Sequence, residues 1–173
     1  MLKQRSLSPE QALQKLRHYC GYQERCHQEV REKLYSFGLR KPDVENCIAT
    51  LIGEDQLNEE RFAAEFAGGH FRLKGWGKIK IRYELRQKKV SDYCITKALE
   101  GIDESEYTHT LTGHATRKWE TLGDEADSFA RRRKLRDYLL QKGFEADRIA
   151  AVIATLLAAA HATPPTGPAD HTK

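Results

Sequence analysis

The sequence predicts an all-α protein built as three tandem three-helix repeats in an elongated, curved array. Three observations predict this. Its apolar residues are helix formers, with 18 Leu and 18 Ala against 8 Ile and 4 Val, whereas strands favour β-branched types. An apolar stripe recurs: Val44, Cys47, Ile48, Leu51 and Ile52 correspond, 105 residues on, to Ile149, Val152, Ile153, Leu156 and Leu157, and Ile-Ala-Thr-Leu stands at both 48–51 and 153–156. A helix stop recurs at the same offset. Val30, Leu34, Gly38 and Leu39 pair with Leu135, Leu139, Gly143 and Phe144. Such fixed self-similarity is the mark of a helical repeat.

The first unit spans 8–55. Ser8-Pro9-Glu10-Gln11 supplies an N-cap Ser, Pro at N1 and Gln at N3, and the leading helix runs through Leu13 and Leu16. The middle helix, 24–37, ends at Gly38, where a left-handed C′ residue belongs. The third helix carries the 44–52 stripe.

The second unit spans 56–102. Asn58 caps a helix carrying Phe62, Ala63 and Phe66. Ile81 and Leu85 fall 51 residues after Val30 and Leu34, Val90 takes the place of Leu39, and Ile95 and Leu99 continue the stripe. Two departures mark this copy. Lys89 stands where the other copies have Gly, at a modest conformational cost, and the linker before the last helix is three residues shorter.

The third unit spans 103–160. Its leading helix, 104–122, holds Tyr107, Leu111, Trp119 and Leu122 with weaker periodicity. Residues 161–173, with Pro164, Pro165, Gly167 and Pro168, read as a disordered tail.

Several function classes find no support. No apolar run approaches the roughly 20 residues that span a bilayer, and no signal peptide is visible, so a cytoplasmic protein is expected. Cys20, Cys26, Cys47 and Cys94 lack a secretory context for disulfides. The group His18, Cys20, Cys26 and His27 has C-x₅-C spacing without a second knuckle, so plain buried thiols are favoured over a zinc site. No G-x-S-x-G, H-E-x-x-H or phosphate-loop motif occurs, and Gly75-x-Gly77 lacks the strand and third Gly of a dinucleotide fingerprint. Glu54, Asp55, Glu59 and Glu60 sit at a helix junction, where acids oppose the helix dipole. The expectation is a non-enzyme without cofactor or metal.

Charge is the informative feature. The net charge is +4, but residues 72–89 carry +7 and the rest −3. The bases are Arg72, Lys74, Lys78, Lys80, Arg82, Arg86, Lys88 and Lys89, with Glu84 the only acid. Lys78, Arg82, Arg86 and Lys89 form one helical stripe, distinct from Ile81 and Leu85. Like charges along a face destabilise it, and a stripe that costs stability is a candidate for use. The alternative is an ordinary solvated face. A second cluster, Arg131, Arg132, Arg133, Lys134 and Arg136, opens the middle helix of the third unit, while the first unit's middle helix mixes Glu24, Glu29 and Glu32 with its bases. Basic helices at equivalent places on successive repeats suit an anionic groove or a nucleic-acid backbone. Trp76 beside this stripe is read first as a core anchor and second as a stacking platform.

The segment Gly75, Ile79-x-Ile81-x-x-Glu84-Leu85-Arg86-x-Lys88-Lys89-Val90 resembles the central motif of the RecX regulatory proteins. Gln56-Leu57-Asn58-Glu59-Glu60-Arg61-Phe62-Ala63 resembles that family's entry into its second unit, and Leu34-x-x-x-Gly38-Leu39 matches the first. The resemblance covers about residues 8–158. Lys89 departs from the family's usual Gly. The resemblance implies a monomeric three-repeat array that binds the RecA recombinase filament, and single- or double-stranded DNA within it. It also implies limits on filament growth, strand exchange and ATP hydrolysis in recombinational DNA repair and the SOS response, without a catalytic site. A stand-alone nucleic-acid-binding helical-repeat protein shares the basic stripe and stays open at this point.

Overall fold

The computed structural model describes residues 6–123 and 128–162. The described residues form nine helices: α1 (Pro9–Tyr22), α2 (His27–Ser36), α3 (Lys41–Gly53), α4 (Glu59–Lys74), α5 (Lys78–Gln87), α6 (Asp92–Glu100), α7 (Glu104–Thr121), α8 (Ser128–Lys142) and α9 (Ala146–Ala162). Helix packing concentrates within the triads α1–α3, α4–α6 and α7–α9, so each triad is one repeat unit. Because α9 runs through Ala162, the first two residues of the expected tail are helical. The remainder of that expectation lies outside the described residues.

Local chemistry accounts for the helix boundaries. The Gln11 amide donates to Ser8 Oγ at 3.2 Å and the Ser8 amide to Gln11 Oε1 at 3.1 Å, a complete capping box ahead of Pro9. Cys26 plays the same part for α2 with Glu29, its thiol Sγ accepting from the Glu29 amide where a hydroxyl oxygen usually does. Asn58, Ser91 and Asp103 accept from the amides of Arg61, Cys94 and Glu106. The acids of the 54–60 junction are engaged in the fold. Glu54 pairs with Arg17, Asp55 with Arg61, and Glu60 with Lys97, while Glu59 accepts the Ser91 hydroxyl.

The three middle helices stop in one way. Leu39 N donates to Leu34 O at 3.4 Å, Val90 N to Leu85 O at 3.2 Å, and Phe144 N to Leu139 O at 3.2 Å. Those are equivalent positions of the repeat. The residue before each donor has positive φ: Gly38 at 84°, Lys89 at 60° and Gly143 at 92°. Lys89 therefore adopts the left-handed stop although it is not glycine. Leu39, Val90 and Phe144 are then buried against the helix just ended.

Two apolar cores result. The first gathers Ala12, Leu16, Cys20, Val30, Leu34, Val44, Cys47, Ile48 and Leu51, with Leu57 reaching in from the start of the second unit. The second is continuous through α4–α9 and takes in Cys26 from the first unit. Cys20 and Cys26 thus belong to different cores, and all four thiols are buried and reduced. Burial pushes each thiol pKa up. Along α1 the buried positions are Ala12, Leu16 and Cys20, with Leu13 only packed against the core. Along α7 they are Tyr107, Leu111 and Ala115, and Ala115 completes the stripe that looks weak when only large residues are counted.

Candidate binding surface

The basic segment begins at the end of α4. Gly75 takes φ +61° and donates to Phe71 O at 2.9 Å, which turns the chain toward α5. A Cβ at Gly75 would overlap the His114 ring. Gly77, the N-cap of α5, offers no side chain to the first turn. The third unit satisfies those amides instead. Gly77 N donates to Lys142 O at 2.8 Å, Ile79 N to Gly143 O at 3.0 Å and Lys78 N to the Tyr107 hydroxyl at 2.9 Å. Close approach requires that Gly77 and Gly143 both lack Cβ atoms, since either would strike the opposing segment. Tyr107 is fully buried, and its hydroxyl donates a hydrogen bond to Glu145 Oε2 at 2.6 Å. Burial and that carboxylate drive its pKa far above the usual phenol value. Tyr107 is a fixed structural hinge-pin here, holding α5 to the turn before α9.

The structure sorts the predicted cations into engaged and available groups. Lys78 pairs with Glu104 at 3.3 Å and lies over the Tyr107 ring. Arg86 pairs with Asp92 at 3.0 Å, and Lys88 with Glu29 of the first unit at 2.9 Å. Lys74 and Lys80 lie 4.9 and 4.7 Å from the centre of the half-buried Trp76 ring, against which the His70 ring packs at a tilt, 4.6 Å between centroids. Trp76 is therefore a packed platform for lysines, as its core-anchor reading expects. Arg72, Arg82 and Lys89 make no ion pair among the described residues. Arg72 and Lys89 are exposed, and Arg82 is half-buried.

In the second cluster, Arg131 stacks on Trp119 at 3.6 Å and donates to its carbonyl. Arg133 faces Asp137 at 3.9 Å, and Arg132 donates to Ser128 O. Lys134 is exposed on α8. Arg132, Arg133 and Arg136 line a groove between α8 and α9 with Phe129, Ile153 and Leu157. Arg72 and Lys74 line another, between α4 and α7, with His109, His114 and Arg117. Lys78 and Arg82 line a third with Ile79, Thr96 and Leu99, so the predicted cations do not converge on one groove. Sequence reading missed the α7 contributors because they are dispersed among threonines, and only helical folding brings them beside Arg72. The His114 pKa is lowered by burial and by Lys142 and Arg117, which favours the neutral ring.

Among the described residues no cluster of His, Cys, Asp and Glu could hold a metal ion, and no helix is long and apolar enough to cross a membrane. No constellation of nucleophile, base and orienting group stands out. The fold defines a class: an all-α array of tandem three-helix repeats. Comparison with known proteins is specific. Residues 58–99 match the family model "RecX, second three-helix domain" and residues 105–153 "RecX, third three-helix domain". The regulatory protein RecX of Prosthecochloris aestuarii is 32% identical over 139 residues, covering 80% of this chain and 89% of that protein. That of Thermotoga sp. (strain RQ2) is 30% identical over 155 residues, covering 87% and 88%. The crystal structure of RecX from Lactobacillus salivarius superposes with a TM-score of 0.79 at 22% identity, covering 87% of this chain and 97% of that one, and so shares its fold. This chain belongs to the RecX family of regulatory proteins.

Proposed function

We propose that this chain is a non-catalytic, monomeric, cytoplasmic regulator that binds the RecA–DNA filament and inhibits filament extension, strand exchange and ATP hydrolysis. Family membership supports the reading. The observation that carries it is the set Arg72, Arg82 and Lys89, three cations without acidic partners on the second unit. Lys78, Arg86 and Lys88 of the same unit are matched to Glu104, Asp92 and Glu29, so the three cations left unmatched beside them favour an anionic partner outside the chain. Lys74, Lys78, Lys80, Arg86, Lys88, Arg131, Arg132, Arg133, Lys134 and Arg136 extend the proposed face. Several of these also hold the fold together, so they are poor choices for a clean test.

The test is RecA ATPase on single-stranded DNA with substoichiometric protein. The wild type is expected to suppress turnover, and Arg72→Glu/Arg82→Glu/Lys89→Glu to lose about tenfold or more in potency with helicity unchanged. Charge-dependent contacts also predict weaker inhibition at higher salt. Full inhibition by the triple variant would overturn the role of this face. Tight DNA binding with no effect on RecA would instead favour a stand-alone nucleic-acid-binding protein.

A further inference from the structure

The first unit carries a groove that the reading above does not use. It lies between α1 and α2, with a volume of about 740 Å³, and Tyr19, Tyr22, Phe37, Lys15, Arg25 and Lys33 dominate its lining. Among the described residues no carboxylate lines it. Charge mixing in the sequence conceals this. The acids of the middle segment are turned elsewhere: Glu24 pairs with Arg61, Glu29 with Lys88, and Glu32 accepts from Gln28. Lys15 and Lys33 are left facing the groove and make no ion pair among the described residues.

Rings and cations alternate there. Arg25 lies 3.9 Å from the centre of the Tyr19 ring, and Lys33 sits 5.9 Å from Tyr19 and 5.6 Å from Phe37. Tyr22 is 80% exposed, so its ring faces are open to a ligand. Gln11, Lys15, His18 and Tyr22 follow one face of α1 at steps of four, three and four. At 1.5 Å per residue that face runs about 16 Å, room for a few nucleotides of an extended strand.

We propose that this groove is a second binding site, for single-stranded nucleic acid. A base stacks on the exposed Tyr22 ring, and phosphates lie against Lys15 and Lys33. The combination of an exposed ring face and unmatched cations selects a single strand, since a duplex hides its base faces and an acidic peptide has none to stack. This inference is independent of filament regulation, because the site lies on a different unit from Arg72, Arg82 and Lys89.

The experiment measures anisotropy of a short fluorescein-labelled oligothymidylate, using the full chain with Arg72→Glu/Arg82→Glu/Lys89→Glu as background to silence the other face. The expected result is saturable binding that Tyr22→Ala weakens about tenfold and Lys15→Glu/Lys33→Glu abolishes. An abasic strand of equal charge binds at least tenfold more weakly, and ultraviolet cross-linking places thymidine on the peptides containing Tyr19 or Tyr22. Tyr22 is exposed, so circular dichroism should stay unchanged in the alanine variant. Equal binding by Tyr22→Ala, equal binding of the abasic strand, or displacement by polyglutamate at matched charge would each overturn the proposal, the last by assigning the groove to an acidic peptide. Loss of RecA inhibition in the background variant with oligonucleotide binding retained separates the two sites.

Discussion

Lys89 occupies, at φ +60°, the left-handed stop that Gly38 and Gly143 occupy in the other units. A side chain in that region costs about 1 kcal/mol, and Lys89 recovers none of it through an ion pair. Lys89→Gly should therefore stabilise the protein by roughly 0.5–1 kcal/mol, read as a higher urea midpoint at unchanged slope. A lower midpoint would show that the side chain contributes a contact that outweighs the strain. The sequence showed that Lys89 stands in for Gly, because three stops align. It could not show that Lys88, one residue earlier, reaches Glu29 across the unit boundary at 2.9 Å. Pairings between residues 59 positions apart follow from how units stack, which no local pattern encodes.

At the scale of elements, equivalent helices are buried unequally. In α3, Val44, Cys47, Ile48 and Leu51 are buried, and in α6 Cys94, Ile95, Ala98 and Leu99 are. In α9 only Ile149 is buried among the described side chains, while Val152, Ile153 and Leu156 are partly exposed. The repeated stripe predicted the same face for all three helices, and the face is right. The depth of burial differs because, among the described residues, α9 packs chiefly against α7 and α8. Local opening follows buried contact density. Amides in the second half of α9 should exchange with solvent at least tenfold faster than those of α4 and α6, measured by hydrogen exchange with mass spectrometry. Comparable protection throughout would mean that something covers α9. The basic helix α5 was legible as a charge run. Its division into structural and available cations was not, since Glu104, Asp92 and Glu29 come from three other segments.

Across the whole molecule, the two joints between units are built from different physics. The second and third units share one core and are joined by backbone hydrogen bonds from Gly77 and Ile79 and by the Tyr107 hydroxyl. The Lys78–Glu104 pair also crosses this joint and weakens in acid, but the shared core and the backbone hydrogen bonds remain. Among the described residues the first and second units exchange Cys26 and Leu57 between their cores and otherwise meet through Glu29–Lys88 and the pairs of Arg61 with Glu24 and Asp55. Burial raises the Glu29 pKa, but the Lys88 ammonium and the Cys26 amide outweigh it and hold the carboxyl below its ordinary value. A depressed folded pKa stabilises the joint above the unfolded value of about 4.3, and that contribution is lost as pH falls through the folded value. Lys88 mirrors this at the alkaline end: burial lowers its pKa, Glu29 raises it further, and the contribution fades as pH rises past the folded value. The first unit should therefore separate before the others in acid. Urea unfolding at pH 7 should approach one transition, and at about pH 3.5 it should split, with exchange protection lost first in α1–α3. Lys88→Met should produce the same split at neutral pH, because it removes the partner while keeping an apolar stem of similar length. A single transition for both conditions would show that Cys26 and Leu57 alone couple the first unit to the rest.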